Sequence, residues 1–372
     1  MNSINTNTNT FEKHPIITIL FVNILFLFVW ICIDLVYSNF ISSFTHTYEV
    51  FKSVKPIGHV NVENKTFRWV SRYSGEYDAE VKFNNLGFRN NEDYNEQIIE
   101  GKKVVFALGD STTASLENSY ENSYPKVLNN LLGDKYIVFN TGVRGFDTNQ
   151  VIINYKTRLE KLKPDLLIYM ICENDLNGNI DPELYPSIIR YYGKGIINDD
   201  GSYKFIEPVS GFEKLKIEMK IGMAKNLQLT FKYIFMPLAS FIKRVNKHSS
   251  REKNYFDTRE LNKLEELLLR LNKIALEDNI PLYITWFPYL KYADESNTQI
   301  PMHYKKIQKF VDQNLSNAYF ISTYEPLIEY YKNNPSNETT SFLFPYNLHA
   351  TDFGSVKLGT LIAEELQKRI NK

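Results

Sequence analysis

The sequence predicts an α/β fold, a three-layer α/β/α sandwich around a central parallel sheet, preceded by one N-terminal transmembrane helix. Two observations support this prediction. From residue 103 onward, short continuous apolar runs alternate with helical patterns, which is typical of a parallel sheet covered by helices on both faces. In addition, residues 16–33 are uncharged and mostly apolar, and at about 1.5 Å per residue such a helix is long enough to cross a bilayer.

The N-terminal segment has three interpretations: an uncleaved membrane anchor, a cleaved signal peptide and a buried core helix. The apolar region of a signal peptide usually runs for only about 7 to 15 residues. The longer apolar run here favours a membrane anchor that spans residues 15–37. Lys13 precedes the span, whereas the next lysines are Lys52 and Lys55, so the positive-inside rule favours a cytoplasmic segment 1–14. We expect a single-pass protein of the cell (inner) membrane with an extracytoplasmic domain.

Residues 38–75 are predicted to be a polar connector, followed by the main domain at 76–372. Residues 76–83 alternate apolar and charged side chains, which predicts a half-buried strand in an edge hairpin. Asp257, three residues before Glu260, is the predicted cap of an amphipathic helix, and another helix ends the chain. The strands of the central sheet are predicted at 104–108, 136–140, 165–171, 281–287 and 318–322.

The alternation of strands and helices stops over about 181–256, which we predict to be an insertion in this domain. Residues 193–205 contain an Asp-Gly turn between short apolar runs, which is typical of a hairpin. Residues 211–253 are rich in lysine and arginine, with aromatic residues between them. Such a segment is either a solvated helical insertion packed on the main domain, or a lid or membrane-surface helix.

Composition and motifs exclude several kinds of function. Lys+Arg and Asp+Glu both number 43 among the 372 residues, so no net charge attracts nucleic acid. Cys32 and Cys172 lie in separate predicted elements, so we expect neither a disulfide framework nor a cysteine metal site. A nucleotide-binding glycine loop, a zinc motif and paired-carboxylate spacing are all missing from the sequence, which therefore implies no cofactor and no metal.

Ser111 is a candidate nucleophile because it follows a buried strand, and open α/β sheets bind their ligands where the strands end. A nucleophilic serine also needs a general base and donors for the oxyanion. Of the six histidines, only His349 lies in a loop between the last predicted strand and a helix, where the loops of such a sheet converge. Taken alone, Gly-Asp-Ser is more often a turn and a helix cap.

Four blocks of sequence, in order, resemble the SGNH or GDSL-type hydrolases. The blocks are Gly-Asp-Ser at 109–111, NTGVRG at 140–145, END at 173–175, and a histidine that leads into a C-terminal helix with Gly354. NNLGFR at 84–89 and the long insertion resemble the membrane-anchored members that are associated with cell-surface polysaccharides. The resemblance runs from about residue 76 to the end of the chain and implies the SGNH hydrolase fold.

The resemblance also implies a set of roles. Ser111 would be the nucleophile and His349 the general base. The oxyanion donors would be the backbone N–H groups of Ser111 and Gly145 and the side-chain amide of Asn174. Losing one such donor typically costs about 10²- to 10³-fold in rate.

The sequence departs from the family pattern in two places. Cys172 stands where the third block usually begins with glycine, which leaves the Asn174 donor in place. More seriously, the acid of the family normally lies two or three residues before the histidine, where this chain has Asn347 and Tyr346. An Asp-to-Asn change of this kind costs about 10⁴-fold in a serine protease. Asn347 can still accept a hydrogen bond from His349, and Asp352 is an alternative residue to orient it.

Four other residues have expected roles. We expect Asp110 and Asp175 to be structural, and Gly142 to be a turn residue. Arg144 would either contact an anionic substrate or be solvated.

The expected reaction is serine-dependent acyl transfer. With water as acceptor the protein is an ester hydrolase that removes O-acetyl groups from a surface glycan; with a sugar hydroxyl as acceptor it is an O-acyltransferase. The expected partners are an ester-bearing small molecule or glycan, the membrane and, for transfer, a membrane acyl-donor protein. The lack of Gly-x-Ser-x-Gly argues against the α/β-hydrolases. The competing hypothesis, favoured by Asn347, is a catalytically impaired, membrane-anchored glycan-binding or assembly protein.

Overall fold

The structure is a computed structural model, which describes residues 14–41, 49–71, 75–180, 191–230, 258–289, 301–334, 340–345 and 347–370. The chain divides into two compact units. Unit 1 comprises Met1–Ser43 and Leu215–Arg251, and unit 2 comprises Phe44–Lys214 and Glu252–Lys372.

The described part of the chain forms short antiparallel hairpins and one parallel sheet. Its strands are β1 (Phe51–Val54), β2 (Gly58–Asn61), β3 (Lys65–Val70), β4 (Asp78–Phe83), β5 (Lys103–Leu108), β6 (Tyr136–Asn140), β7 (Leu166–Ile171), β8 (Lys194–Ile197), β9 (Tyr203–Ile206), β10 (Leu282–Trp286) and β11 (Ala318–Ile321).

Helices connect and cover these strands. They are α1 (Pro15–Val36), α2 (Glu96–Ile99), α3 (Ser111–Ala114), α4 (Tyr124–Leu132), α5 (Thr148–Asn154), α6 (Glu173–Gly178), α7 (Gly211–Asn226), α8 (Gln228–Thr230), α9 (Thr258–Glu277), α10 (Met302–Asn314), α11 (Tyr324–Asn333) and α12 (Asp352–Ile370). A π-helical turn, Tyr37–Ile41, continues α1, and a second one, Tyr155–Leu159, continues α5 into the 3₁₀ turn Glu160–Leu162.

The core of unit 2 is a five-stranded parallel sheet in the order β11-β10-β7-β5-β6. All five strands coincide with the predicted apolar runs, so the predicted parallel sheet is confirmed. The first strand of the sheet in sequence, β5, lies between the second and the third, which places the point where the strand order reverses between β5 and β7. Sheets of this topology bind their ligands at the carboxyl ends of the strands that flank this point.

Helices cover both faces of the sheet, which confirms the three predicted layers. On one face, Leu264 and Leu268 of α9 and Ile307 of α10 pack in a single core with residues of β5 and β7. On the other face, Leu128 of α4 and Ile362 of α12 belong to a second buried cluster. Both sides of each central strand are therefore removed from water, which explains why these strands are continuously apolar.

The predicted connector 38–75 contains structure that the sequence did not indicate. β1 and β2 form a hairpin, and β3 pairs with β4, so the predicted edge hairpin uses connector residues as its first strand. Phe67 and Trp69 of β3 are buried beside their partners Val81 and Ala79 in β4. The predicted Asp-Gly hairpin is β8–β9. The predicted cap Asp257 and the 231–253 part of the basic segment lie outside the described residues.

Unit 1 contains α1, α8 and most of α7. The helix Pro15–Phe40 has a mean hydropathy of 2.9 and none of its most apolar window is buried, so it is not a core helix. By length and composition it fits a membrane span or a signal sequence. At its end, the buried Asp34 carboxylate accepts hydrogen bonds from the backbone N–H groups of Leu229 and Thr230, at 2.8 and 2.7 Å.

Candidate active site

Ser111 is the first residue of α3, directly beyond the carboxyl end of β5. Asp110 caps this short helix, because its Oδ1 accepts hydrogen bonds from the backbone N–H and the hydroxyl of Thr112, at 2.8 and 2.7 Å. The carbonyl oxygen of Thr113 accepts a hydrogen bond of 2.8 Å from the Asn140 amide at the end of β6. The serine is therefore held at the strand end by a structural Asp110, as expected.

Two glycines shape the loop after β6. A Cβ at Gly142 would lie 2.5 Å from the backbone nitrogen of Ala114, so Gly142 allows this loop to approach the helix that carries Ser111, beyond the turn role expected of it. Gly145 has a φ of +82°, a backbone conformation that residues other than glycine rarely adopt. The Val143 N–H donates to the Gly109 carbonyl at 3.2 Å, which joins the first and second sequence blocks.

The third block lies at the end of β7, beside the first. The Asn174 amide donates to Asp110 Oδ2 at 3.2 Å, and the Ser111 hydroxyl lies 3.3 Å from the same oxygen. Asn174 therefore lies next to the candidate nucleophile. Its neighbour Asp175 is buried and accepts hydrogen bonds from the Cys172 N–H at 3.1 Å and from the Tyr169 hydroxyl at 3.0 Å. Asp175 thus has the structural role expected for it.

His349 meets Ser111 across this edge of the sheet. Its Nε2 lies 2.9 Å from Ser111 Oγ, and its Nδ1 is hydrogen-bonded to Asn347 Oδ1. The Asn347 amide in turn donates to the Tyr77 hydroxyl at 3.0 Å, which orients its carbonyl oxygen toward the imidazole. An Nδ1–H that donates to Asn347 leaves the Nε2 lone pair free to accept the serine proton. Burial lowers the pKa of His349 below its ordinary value, which favours the neutral, basic form.

An acid that the sequence analysis missed also lies beside His349. Glu117 Oε1 is 3.8 Å from His349 Nδ1, and the Glu117 side chain has no exposed surface. The Arg144 guanidinium forms a 2.9 Å ion pair with the same oxygen and lies over the Trp69 ring at 5.6 Å. Arg144 is therefore not simply solvated, because its guanidinium binds a buried carboxylate of its own chain; its contact with an anionic substrate stays a prediction.

Asp352, the alternative residue to orient His349, forms its hydrogen bonds with other residues. Its carboxylate accepts hydrogen bonds from the Ser119 N–H at 3.1 Å and from the Asn122 amide at 2.7 Å. Asp352 begins α12, so it ties the loop after α3 to the helix that follows His349. Among the described residues, Asp352 has no hydrogen bond to His349.

Arg89 is a second residue whose role the sequence analysis missed. It is 1% exposed, and its guanidinium donates to the carbonyl oxygens of Ser115 and Asn118, on either side of Glu117. Arg89 ends the NNLGFR block, so that block supports the loop that carries Glu117. The signal in the sequence was the block itself, whereas nothing in the local pattern around Glu117 distinguishes it from a surface glutamate.

Comparison with known proteins gives structural likeness only, since no family model matches the chain and no curated protein matches it. An acetyl xylan esterase is 16% identical with a TM-score of 0.41, over 71% of this chain and 99% of the other. A catalytic mutant of an acetylxylan esterase from Geobacillus stearothermophilus is 14% identical with a TM-score of 0.39, over 72% and 94% of the two chains.

A third solved structure, from Desulfitobacterium hafniense, is assigned to the G-D-S-L family of lipolytic proteins. It is 12% identical with a TM-score of 0.38, over 71% of this chain and 99% of the other. The strand order of the chain, and the meeting of the four sequence blocks at one sheet edge, agree with the α/β fold that the sequence resemblance to the SGNH-type hydrolases implies.

Proposed function

We propose that the protein is a serine-dependent ester hydrolase whose nucleophile is Ser111 and whose general base is His349. The observation that carries this proposal is the 2.9 Å contact between Ser111 Oγ and His349 Nε2, at the carboxyl end of β5. Nucleophile and base at hydrogen-bond distance, with the base held by a third group, is the arrangement that activates a serine.

In the proposed reaction, Ser111 Oγ forms a bond to the ester carbonyl carbon while its proton passes to His349 Nε2. The carbonyl oxygen becomes an oxyanion, which the N–H groups of Ser111 and Gly145 and the amide of Asn174 would stabilise. When this intermediate collapses, the ester C–O bond breaks and His349 returns the proton to the leaving alcohol. Water then cleaves the acyl-enzyme by the same steps in reverse.

A more specific part of the proposal is the identity of the substrate and of the acyl acceptor. We propose that the substrate is an O-acetyl group on a cell-surface glycan, because the sequence resembles membrane-anchored members of the family. A sugar hydroxyl in place of water would make the protein an O-acyltransferase, supplied by a membrane acyl-donor protein. The alternative, an impaired glycan-binding or assembly protein, is favoured by Asn347 at the position of the usual acid.

The catalytic proposal is tested by labelling the purified full-length protein with a fluorophosphonate and measuring its turnover of p-nitrophenyl acetate. We expect Ser111→Ala and His349→Ala to abolish labelling and to lower turnover by at least about 10³-fold. Ser202→Ala, in the exposed turn between β8 and β9, is the matched control and should behave as wild type. If the wild-type protein is neither labelled nor active, the binding or assembly alternative is favoured.

We also propose that α1 anchors the protein in the cell membrane, with unit 2 on the extracytoplasmic side. Its apolar residues are exposed, among them Phe26 at 72% and Ile16 at 73%, and burying such a surface in lipid is favourable. We expect the full-length chain to stay with membranes during carbonate extraction and unit 2 to be cleaved by protease added to intact cells. A shortened, soluble chain would instead identify a signal sequence.

A further inference from the structure

The proposed function leaves one electrostatic requirement unmet. When His349 takes the proton of Ser111 it becomes an imidazolium, and a nearby carboxylate normally stabilises this cation. Asn347 fixes the tautomer through its carbonyl oxygen, but a neutral amide cannot supply a negative charge. The stabilising carboxylate has to come from another part of the chain.

Glu117 is placed to supply it. Its Oε1 lies 3.8 Å from His349 Nδ1, on the side of the ring away from Ser111. The other oxygen, Oε2, is fully buried and has no hydrogen-bond partner among the residues that the structure describes. Leaving a buried carboxylate oxygen without a donor is costly, so a role in stability alone does not explain why this acid is here.

The surroundings of Glu117 keep it ionised. Burial raises its pKa, but the charges of His349 and Arg144, together with hydrogen bonds that include one from Trp69, outweigh burial and lower that pKa below its usual value. The influence is mutual: burial lowers the pKa of His349, Glu117 raises it, Arg144 lowers it and Asp110 raises it. Among the charged groups that act on His349, Glu117 thus makes the largest contribution in favour of the imidazolium.

The loop that carries Glu117 is fixed at both ends. Arg89 donates to the carbonyl oxygens of Ser115 and Asn118. The Asn118 amide donates at 2.9 Å to the carbonyl oxygen of Ala350, the residue after the candidate base. These contacts hold the carboxylate and the imidazole at a set separation, and such preorganisation is what makes a charge effective in a buried site.

We propose that Glu117 is the acidic positioning residue of this site, a buried carboxylate that accepts hydrogen bonds from Arg144 and from the Trp69 indole N–H and stabilises the His349 imidazolium in place of the acid missing at position 347. This inference depends on the proposed function for its catalytic meaning. The contact between Glu117 and His349 can nevertheless be tested without turnover.

The first measurement is the titration of the histidine rings by NMR in the detergent-solubilised full-length protein, with His349→Gln to assign the signal. Glu117→Gln removes the charge and should lower the pKa of His349. Arg144→Gln exposes His349 to the whole Glu117 charge and should raise that pKa. Glu121→Gln, an exposed glutamate four residues further along the same loop, is the control and should change nothing.

The second measurement is the pH profile of kcat/KM for p-nitrophenyl acetate. We expect Glu117→Gln to lower kcat/KM by about 10- to 100-fold, less than the roughly 10⁴-fold known from a triad aspartate, because Asn347 still fixes the tautomer. Its acidic limb should move to lower pH. In Glu117→Gln/Asn347→Asp the new carboxylate should restore about tenfold or more of the loss, which a merely structural role for Glu117 would not predict.

The two measurements separate failure of this proposal from failure of the proposed function. An unchanged His349 pKa in Glu117→Gln, or shifts of the same sign in Glu117→Gln and Arg144→Gln, overturns the role of Glu117 whatever the activity. If the two variants shift the pKa of His349 in opposite directions but the wild-type protein shows no Ser111-dependent turnover, the pairing of Glu117 with His349 is upheld and the hydrolase is rejected. If Glu117→Gln does not fold, Arg144→Gln still decides, because Arg144 is partly exposed and an unchanged His349 pKa there also overturns the role.

Discussion

Two buried carboxylates near the candidate site, Glu117 and Asp175, have pKa values that are shifted in opposite directions. Burial raises the pKa of Asp175 well above its ordinary value, and the negative Asp110 and Asp147 raise it further. Burial acts in the same direction on Glu117, but the charges of His349 and Arg144, together with its hydrogen bonds, reverse the effect. The two acids share their degree of burial and differ in the sign of the charges around them.

This difference shows that, at equal burial, the charges and hydrogen bonds around a buried acid decide the direction of its pKa shift. The raised pKa of Asp175 favours its neutral form, and the group accepts hydrogen bonds from Tyr169 and Cys172, which suits the base of a loop. An ionised Glu117 is a fixed negative charge beside a histidine that must become positive. Asp175 belongs to a recognisable sequence block, yet the acid outside every block is the one suited to the chemistry.

The largest expected effect that tests this comparison is on activity. Asp175→Asn keeps the shape of the side chain and resembles the neutral form that its raised pKa favours, so we expect kcat/KM to stay within about threefold of wild type. Glu117→Gln makes the same chemical change at a charged acid and should cost about 10- to 100-fold, since about 1.4 kcal/mol corresponds to each tenfold change in rate. Assays with p-nitrophenyl acetate give both ratios. Equal losses in the two variants would show that the acids do not differ as proposed.

The elements that sequence patterns predict best here are those with strong local signals. β5, β6, β7, β10 and β11 were all predicted because each is a continuous apolar run, and a parallel sheet buried on both faces requires such runs. β3 was missed although Phe67 and Trp69 alternate with Thr66 and Arg68, because this alternating run is short and lies in a segment otherwise rich in polar residues.

The site was predicted only in part, because two of its contacts depend on the tertiary fold. Ser111, Asn174 and His349 belong to ordered blocks, and the structure brings them together. Glu117 follows the nucleophile by six positions and points to a base more than two hundred residues away in sequence. No periodicity or spacing encodes such a pair. Gly142 was expected to be a turn residue, and its close approach to Ala114 likewise depends on how two loops pack.

The smaller expected effect is on stability, where the two acids should respond to pH with opposite signs. The pKa of Asp175 is raised in the folded state, so its contribution is complete below the unfolded value of about 3.9 and is lost as pH rises toward the folded value. The pKa of Glu117 is lowered in the folded state, so its contribution is complete above the unfolded value of about 4.3 and is lost as pH falls through the folded value.

Urea unfolding between pH 3 and pH 8 should therefore give two opposite trends relative to wild type. Asp175→Asn removes a contribution that fades with rising pH, so the variant should gain relative stability from about pH 4 upward, by at most about 1.4 kcal/mol per pH unit. Glu117→Gln removes a contribution that grows with pH, so it should lose relative stability as pH rises to about 5 and then stay constant. Glu121→Gln, which is exposed, should follow wild type throughout. A common slope for the Asp175 and Glu117 variants would mean that burial alone sets the state of both acids, and the charges of Arg144 and His349 would then be too weak to keep Glu117 ionised.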